Sequence, residues 1–229
     1  MDLQNLNLDL FLIRHAEPAF LSGHWVHPQT PLSKHGVQRA KILGLALRRY
    51  SLDSLISSPL KRARQTASII CKENPSLPPL HDPQEHLWCS EIDLGELGGM
   101  SEHDVLRKYP VEYHPPQRWW EFPSSLVFRL LITRKDYKFP GGESIEEFWN
   151  RVEIGFTRFF DSHIHFDKEK IGIVAHGGPF TVIFLLLLGK KFEDENYPGF
   201  FIHMADFSFI RIKDQQVVFL QSNPLSHPK

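Results

Sequence analysis

Two short apolar runs, far apart in the chain, constrain the fold more than any other feature of the sequence. Leu8 to Ile13 and Lys170 to Ala175 each have the length and composition of a buried strand, and helix-like segments follow both. Strands that alternate with helices form a mostly parallel sheet with helices on both faces. The sequence therefore predicts an α/β protein with three layers, α/β/α, around a mostly parallel central sheet.

Capping signals and amphipathic stripes place the other elements. A helix is expected over Gly36 to Arg49 with Ser33 as its N-cap, and Ser58-Pro59 is typical of the start of the next helix. Ser144 and Glu147 have the spacing of a capping box at the start of a third helix. Further elements are predicted at Ser54 to Ser57 (strand), Pro179 to Gly189 (helix), and Phe207 to Ile212 with Gln216 to Leu220 (a terminal hairpin).

Charge and targeting signals exclude several classes of protein. The chain has 229 residues, with 26 Lys plus Arg against 27 Asp plus Glu, so its net charge of −1 favours neither nucleic acid nor membrane as a partner. Met1 to Asp9 lacks the features of a signal peptide. Cys71 and Cys89 are too few for a disulfide framework, which indicates a reducing compartment. We expect a cytoplasmic protein and leave a homodimer open.

The segment from Ser101 to Pro140 is unusually rich in proline and aromatic residues. Linkers are rarely so aromatic, so we expect a single domain over residues 1–229 with an insertion at about 101–140 that lies over the active site. Trp119-Trp120 either packs this insertion onto the core, which we favour, or lines a substrate pocket.

A histidine comes shortly after each apolar run, and small residues follow each histidine. Ala16 follows His15, and Gly177 and Gly178 follow His176. Ligands of open α/β sheets bind at the carboxyl ends of strands, and small residues let backbone amides approach them. A lone histidine there is usually structural, but two of them, one beside Arg14, favour a shared site.

A cationic cluster is predicted in the first turns of the second helix. Lys61, Arg62 and Arg64 lie where the helix dipole is already positive, which is unfavourable unless an anion binds there. The alternative is a solvated basic helix face.

Several motifs in order along the chain resemble those of one family. They are LIRHAE (12–17), TPLSKHG (30–36), SPLKRARQTA (58–67), EIDLGELGG (91–99), PGGES (140–144) and AHGG (175–178). Together they resemble the phosphoglycerate-mutase-like branch of the histidine phosphatase superfamily over nearly the whole chain. One such motif would be weak, but the ordered set is highly specific.

The resemblance implies residue roles. His15 would be the nucleophile that takes a phosphoryl group, and Glu91 would protonate the leaving group. Arg14, Arg62 and His176 would hold the phosphoryl oxygens, with Ser22 and Gly177 as further substrate contacts. The substrate would be a small phosphorylated metabolite, and the resemblance implies neither metal nor cofactor.

The physical chemistry of these residue types agrees with those roles. An imidazole attacks only when it is neutral, and its ordinary pKa is about 6.5. Neighbouring cations disfavour a second positive charge on it, and they also stabilise the oxygens of a phosphoryl group in transfer.

The sequence also departs from the family pattern. Residue 16 is Ala where Gly is common, and Leu21 stands where relatives carry Asn, so Ser22 or a backbone amide is expected to substitute. The later family Asn has no match around Asp206. Glu17 is a rival for the acid. Glu143 is expected either to have a structural role or to support a residue that contacts the substrate.

Other histidines and cysteines offer weaker alternatives. Metal sites need three or four convergent ligands, and neither His24 with His27 nor His163 with His165 has a defined partner. Cys71 and Cys89 are expected to pack in the core, although Cys89 beside the acid loop could act as a redox group.

Three functions remain open. A mutase carries an arginine pair in its insertion, and Arg118, Arg129 and Arg134-Lys135 are no clear match, so we expect a phosphatase. The third possible function is that of an inactive phosphoester-binding protein of the same fold. The presence of Glu91 argues against it, because a binding role needs no protonatable acid.

Overall fold

A five-stranded sheet forms the centre of the protein. The computed structural model describes residues 7–19, 24–80, 82–108, 134–163, 167–194, 197–198, 202–213 and 216–220. The strands are β1 (Asn7–Arg14), β2 (Ser54–Ser57), β3 (Asp167–Ala175), β4 (Phe207–Lys213) and β5 (Gln216–Leu220). Their order in the sheet is β2-β3-β1-β4-β5.

The two predicted buried strands are neighbours in the middle of this sheet. β1 pairs with β3 in parallel, with Arg14 opposite Ala175, and β2 pairs with β3 in parallel. β4 is antiparallel to both of its neighbours. All strands except β4 therefore run in the same direction, which confirms the mostly parallel sheet. His15 and His176, which follow β1 and β3, leave the sheet at the same edge.

Helices cover both faces of the sheet. α1 (Lys34–Leu47) and α2 (Lys61–Glu73) share a core with one face, and α4 (Ile145–His163) and α5 (Gly177–Leu187) share a core with the other. The predicted three layers are thus confirmed. The remaining helical segments are α3 (Glu102–Lys108) and the 3₁₀ turns Arg48–Tyr50, Pro83–Cys89 and Gly95–Leu97.

The alternation of side chains along β1 divides the core in two. Leu10 and Leu12 point toward α4 and α5, while Phe11 and Ile13 point toward α1 and α2, and all four are at most 1% exposed. Burial of each such side chain stabilises the fold by about 1.5–3 kcal/mol. Because both faces of β1 are covered, the strand needs an uninterrupted apolar run.

Two of the predicted caps are present. The Ser33 hydroxyl accepts from the Gly36 backbone N–H at 2.8 Å and caps α1. At α4 the Ser144 hydroxyl accepts from Glu147 N–H at 3.0 Å, and the Glu147 carboxylate accepts from Ser144 N–H at 2.7 Å. These bonds satisfy backbone donors that the helix itself leaves unpaired.

The predicted cap of α2 is wrong. The helix begins at Lys61, with Leu60 in an extended conformation at the N-cap position and without a side-chain cap. The Ser58 hydroxyl lies instead 2.8 Å from His176 Nε2, and it accepts from Leu60 N–H at 3.3 Å. A contact from the end of β3 therefore overrides the local capping signal.

Most of the predicted insertion, including Trp119-Trp120, falls in residues 109–133, which lie outside the described residues. Its described end joins the start of α4, where Ile145 N–H donates to the Tyr137 carbonyl at 3.0 Å. None of the helices in the described ranges combines the length and the apolar character needed to cross a membrane.

Candidate active site

His15 lies inside the protein at the end of β1, with 6% of its surface exposed. Its backbone N–H donates to the Ala175 carbonyl at 3.0 Å, which holds the end of β1 beside the end of β3. The ring Nδ1 lies 2.7 Å from the Ala16 carbonyl oxygen. A carbonyl can only accept a hydrogen bond, so Nδ1 carries the proton and Nε2 presents a lone pair.

Arg62, from α2, faces that lone pair. Its Nε donates to His15 Nε2 at 3.3 Å, and the side chain is 5% exposed. Burial lowers the pKa of Arg62 to about 10, with Glu91 opposing the shift and Arg14 adding to it. The guanidinium therefore stays charged at neutral pH. Burial, followed by the charges of Arg62 and Arg14, holds the pKa of His15 well below 6.5, so its imidazole is neutral.

Thr66 connects α2 to the segment that carries His15. Its hydroxyl accepts from the Ala16 backbone N–H at 3.0 Å and donates to the Arg62 carbonyl at 2.8 Å. This places Arg62 and His15 in a fixed relation to each other.

His176 lies beside His15, with ring centroids 4.9 Å apart. It is fully buried, its Nε2 is bonded to the Ser58 hydroxyl, and its Nδ1 has no partner among the described residues. Burial, then Arg62 and His15, hold the pKa of His176 well below its usual 6.5. The ring is therefore neutral.

Arg14 is positioned by the loop that precedes β4. Its backbone N–H donates to the Asp206 carbonyl at 2.9 Å, and its Nη1 donates to the Ile202 carbonyl at 2.7 Å. Burial lowers the pKa of Arg14, while attraction to Glu91 opposes the shift. The guanidinium and the Glu91 carboxylate therefore belong to the same electrostatic environment.

Glu91 follows the 3₁₀ turn Pro83–Cys89 and faces the start of α5. Its Oε2 accepts from the Gly178 backbone N–H at 3.2 Å, and its Oε1 accepts from its own neighbour Ile92 at 3.1 Å. Gly177 is the first residue of α5, directly after His176. A carboxylate at a helix N-terminus is favoured by the helix dipole. The structure thus brings Glu91 to the same edge of the sheet as both histidines.

A cavity of about 600 Å³ lies beside Arg62 and Glu91. This volume is within the range of small-molecule sites. Its polar lining residues include His27, Ser90, Asp93, Glu143 and Arg151, and its apolar ones include Val26, Pro28, Leu60, Leu87, Ile92 and Leu94. Arg62 both lines this cavity and contacts His15, so the cavity adjoins the cluster of arginines and histidines.

Two residues that the sequence named as candidates for the site, Ser22 and Glu17, are not among the residues described so far. Ser22 lies outside the described residues. The Glu17 carboxylate accepts from the Ser33 hydroxyl at 3.2 Å and lies 2.8 Å from His35 Nδ1. The His35 hydrogen bond is the main cause that lowers the pKa of Glu17, which favours its ionised form and makes it a poor proton donor.

Sequence reasoning missed Ser58, Thr66 and Arg151. Ser58 and Thr66 stand inside the SPLKRARQTA motif, so their place near the site had a signal even though their partners did not. No sequence signal pointed to Arg151, because an arginine at the edge of an apolar helix face is common.

The structure also bears on the cysteine and histidines that the sequence offered for redox or metal chemistry. Cys89 is fully buried, and burial raises its pKa to about 12, which suits the expected core role and not a reactive thiol. His27 Nδ1 accepts from Gln29 N–H at 3.1 Å, and His165 lies outside the described residues. Within the described ranges no three His, Cys, Asp or Glu side chains converge as a metal site would require.

Several known proteins are similar to this chain. Phosphoserine phosphatase 1 of Hydrogenobacter thermophilus is 31% identical over 220 residues, which cover 95% of this chain and 93% of that protein. A 2,3-bisphosphoglycerate-dependent phosphoglycerate mutase of Cytophaga hutchinsonii is 27% identical over a match that covers 81% of this chain and 79% of that protein. The alpha-ribazole phosphatase of Shigella flexneri has a similar fold, with a TM-score of 0.69 at 23% identity over 93% of this chain and 94% of that one.

The family model of the histidine phosphatase superfamily (branch 1) matches residues 10–224. That range includes both strand ends, the EIDLGELGG motif (91–99) and the side chains described around His15. The chain belongs to the histidine phosphatase superfamily.

Proposed function

We propose that this protein is a metal-independent phosphatase that hydrolyses phosphomonoesters of small metabolites through a phosphohistidine at His15. One observation carries the proposal. A neutral imidazole presents an unprotonated Nε2 that Arg62 contacts at 3.3 Å, in a buried site with Arg14, His176 and Glu91 around it. This is the arrangement that a nucleophile needs when it attacks a dianion.

In the first step, His15 Nε2 attacks phosphorus. The N–P bond forms as the bond from phosphorus to the leaving oxygen breaks, and the leaving oxygen takes a proton from Glu91. The bound phosphate dianion favours the protonated carboxyl beforehand, because like charges repel. The products are phosphohistidine, a free alcohol and a Glu91 carboxylate.

The cations act on the phosphoryl oxygens in the transition state. Arg14 and Arg62 supply two guanidinium groups, and the first amides of α5 at Gly177 add a positive dipole. His176 supplies Nδ1, which has no partner among the residues that the structure describes. Groups that are held in place before the reaction stabilise developing charge without reorganising.

In the second step, water attacks the phosphohistidine. Glu91 takes one proton from the water, the N–P bond breaks with its electron pair returning to Nε2, and inorganic phosphate leaves. Both side chains are then restored to their starting protonation states.

Phosphoserine is the first substrate to test. The relative of 31% identity over 95% of this chain is named a phosphoserine phosphatase, and a 600 Å³ cavity is ample for the serine moiety. Phosphoryl transfer is the second candidate, because another relative is a phosphoglycerate mutase. In that reaction a second hydroxyl replaces water in the second step.

Phosphate release from p-nitrophenyl phosphate and L-phosphoserine, with and without chelator, tests the proposal. We expect activity that chelator does not change and that His15→Ala abolishes. Loss of activity in chelator, or full activity of His15→Ala, would overturn it. A phosphometabolite panel assayed for both hydrolysis and transfer separates the phosphatase from the mutase, and an inactive binding protein would release no phosphate at all.

A further inference from the structure

One side chain of α4 fastens the loop that carries Glu91. Arg151 Nη1 donates to the carbonyls of Leu87 at 3.0 Å, Trp88 at 2.9 Å and Ser90 at 3.3 Å, and its Nη2 donates to the carbonyl of Glu91 at 3.4 Å. The guanidinium therefore contacts four of the five carbonyls from Leu87, inside the 3₁₀ turn Pro83–Cys89, to Glu91, the proposed acid.

Glu143 anchors the guanidinium from the opposite side. Its Oε1 accepts from Arg151 Nε at 2.6 Å and its Oε2 from Nη2 at 2.8 Å, a two-point pair with both side chains less than a quarter exposed. Glu143 Oε2 also accepts from Asp93 N–H at 2.9 Å, and Glu143 N–H donates to the Asp93 carbonyl at 3.0 Å. Together the pair holds the loop on both sides of Glu91.

Arg151 has no donor left for a substrate. A guanidinium has five N–H groups in a fixed fork, and Arg151 makes hydrogen bonds from Nε, Nη1 and Nη2 to six protein acceptors. Although it lines the cavity, its charge is balanced by Glu143 and its protons are all in use. A direct role in binding phosphate would require it to release the loop.

Close packing adds to these bonds one turn further along α4. A Cβ placed on Gly155 would lie 2.0 Å from the Trp88 Cβ, so the helix and the loop are in direct contact there. The loop therefore packs directly against a helix, in addition to its hydrogen bonds with Arg151 and Glu143.

We infer that Arg151 is a positioning residue for Glu91, which it holds at the start of α5 with the help of Glu143. The inference rests on the proposed function, in which Glu91 donates the proton. Proton transfer is sensitive to geometry, and a displacement of about 1 Å can cost about 10²-fold in rate. A poorly held acid should matter most for a leaving group that needs protonation.

The test is Arg151→Lys, whose single ammonium cannot span the same acceptors. We expect kcat/KM for L-phosphoserine to fall about 10- to 100-fold, and kcat/KM for p-nitrophenyl phosphate to fall less than about 3-fold. Both substrates are assayed on one preparation, so a partly unfolded sample lowers both values equally and leaves their ratio unchanged. Glu143→Gln keeps the size of the anchor, removes its charge, and should change the ratio in the same direction.

Arg158→Lys is the matched control, because Arg158 is an exposed arginine of the same helix. The ratio of kcat/KM for the two substrates in this variant should equal that of wild type. Equal losses on both substrates in Arg151→Lys and in Glu143→Gln would overturn the inference and leave only a structural role. If Glu91→Gln changes the ratio and these variants do not, the proposed function stands without this inference. If wild type releases phosphate from neither compound, it is the proposed function that fails.

Discussion

At the scale of residues, the two histidines differ in how their ring nitrogens are bonded. His15 donates from Nδ1 to the Ala16 carbonyl and accepts at Nε2 from Arg62, whereas His176 uses Nε2 for the Ser58 hydroxyl and its Nδ1 has no partner in the part of the chain that the structure describes. The first arrangement leaves a lone pair beside a cation and suits a nucleophile. The second leaves a buried nitrogen that suits an oxygen of the ligand. Identical side chains thus acquire different chemistry from their different hydrogen bonds.

Replacing the proposed acid should discriminate between leaving groups. Glu91→Gln keeps an acceptor near Gly178 N–H but cannot donate a carboxyl proton. We expect kcat/KM for an alkyl phosphate to fall about 10²-fold or more, and that for p-nitrophenyl phosphate to fall much less, because nitrophenolate leaves without protonation. Glu17→Gln is the control and should behave as wild type. Equal losses on both substrates in Glu91→Gln would point to another acid.

The buried histidines should make stability fall at acidic pH. His15 and His176 both have pKa values well below 6.5 in the folded protein, so below that pH the unfolded chain binds more protons than the folded one. The free energy of unfolding should therefore decrease as pH falls from 7 through 6.5, with up to about 1.4 kcal/mol per pH unit from each histidine.

Urea unfolding at pH 7.5, 6.5 and 5.5 measures this dependence. The variant with His15→Gln and His176→Gln should show a flatter profile. His103→Gln, at a histidine whose side chain is 84% exposed, is the control and should retain the wild-type slope. Identical slopes in all three proteins would contradict the assignment of the buried groups.

At the scale of elements, the site is assembled from the ends of strands and the starts of helices. β1 and β3 end at His15 and His176, and α5 begins beside Glu91. The acid itself lies on irregular backbone, and α4 supplies the rigidity that this backbone lacks. The contact between Gly155 and Trp88 is the part of this support that depends on side-chain size.

Gly155→Ala should therefore destabilise the protein. An alanine inside a helix normally gains about 1 kcal/mol over glycine. Here its Cβ would meet the Trp88 Cβ at 2.0 Å, and such overpacking costs about 1–3 kcal/mol, so we expect a net loss of up to about 2 kcal/mol. Gly98→Ala is the control, since the nearest atom there lies at 3.4 Å. Urea unfolding compares the two, and a stabilised Gly155→Ala would refute this view of the contact.

At the scale of the whole molecule, charge is distributed unevenly. The net charge is only −1, yet residues 34–73, which include α1 and α2, contain nine cations and two acids. The cations are Lys34, Arg39, Lys41, Arg48, Arg49, Lys61, Arg62, Arg64 and Lys72. Arg62 reaches His15 from this layer, so the basic layer borders the proposed phosphate site. A field of this kind attracts anionic substrates toward the site.

Substrate capture should therefore depend on salt. We expect kcat/KM for a phosphomonoester to fall about two- to five-fold between 10 and 200 mM NaCl, because salt screens the field. The double variant Lys61→Gln, Arg64→Gln should show a smaller dependence. Lys190→Gln with Lys191→Gln removes the same charge beyond the far end of α5 and should retain the wild-type dependence. A salt effect that is the same in all three would argue against steering by α2.

Elements and cores were predictable because their signals are local. An uninterrupted apolar run specified β1, the spacing of Ser144 and Glu147 specified the start of α4, and ordered motifs indicated the family. The site residues His15, Arg62, Glu91 and His176 were named from those motifs, and the structure brings them together.

Only the tertiary structure decided which atoms those side chains use. The sequence by itself determined that Ser58 lies near a helix start, but its hydroxyl bonds to His176, 118 residues away. In the same way Arg151 binds carbonyls 60 to 64 residues earlier in the chain. Capping, periodicity and motif spacing act over a few residues, whereas a hydrogen bond between distant segments exists only after the sheet and helices have packed. The sequence therefore determined the parts of the site, and packing decided the tautomer of His15 and the support of Glu91.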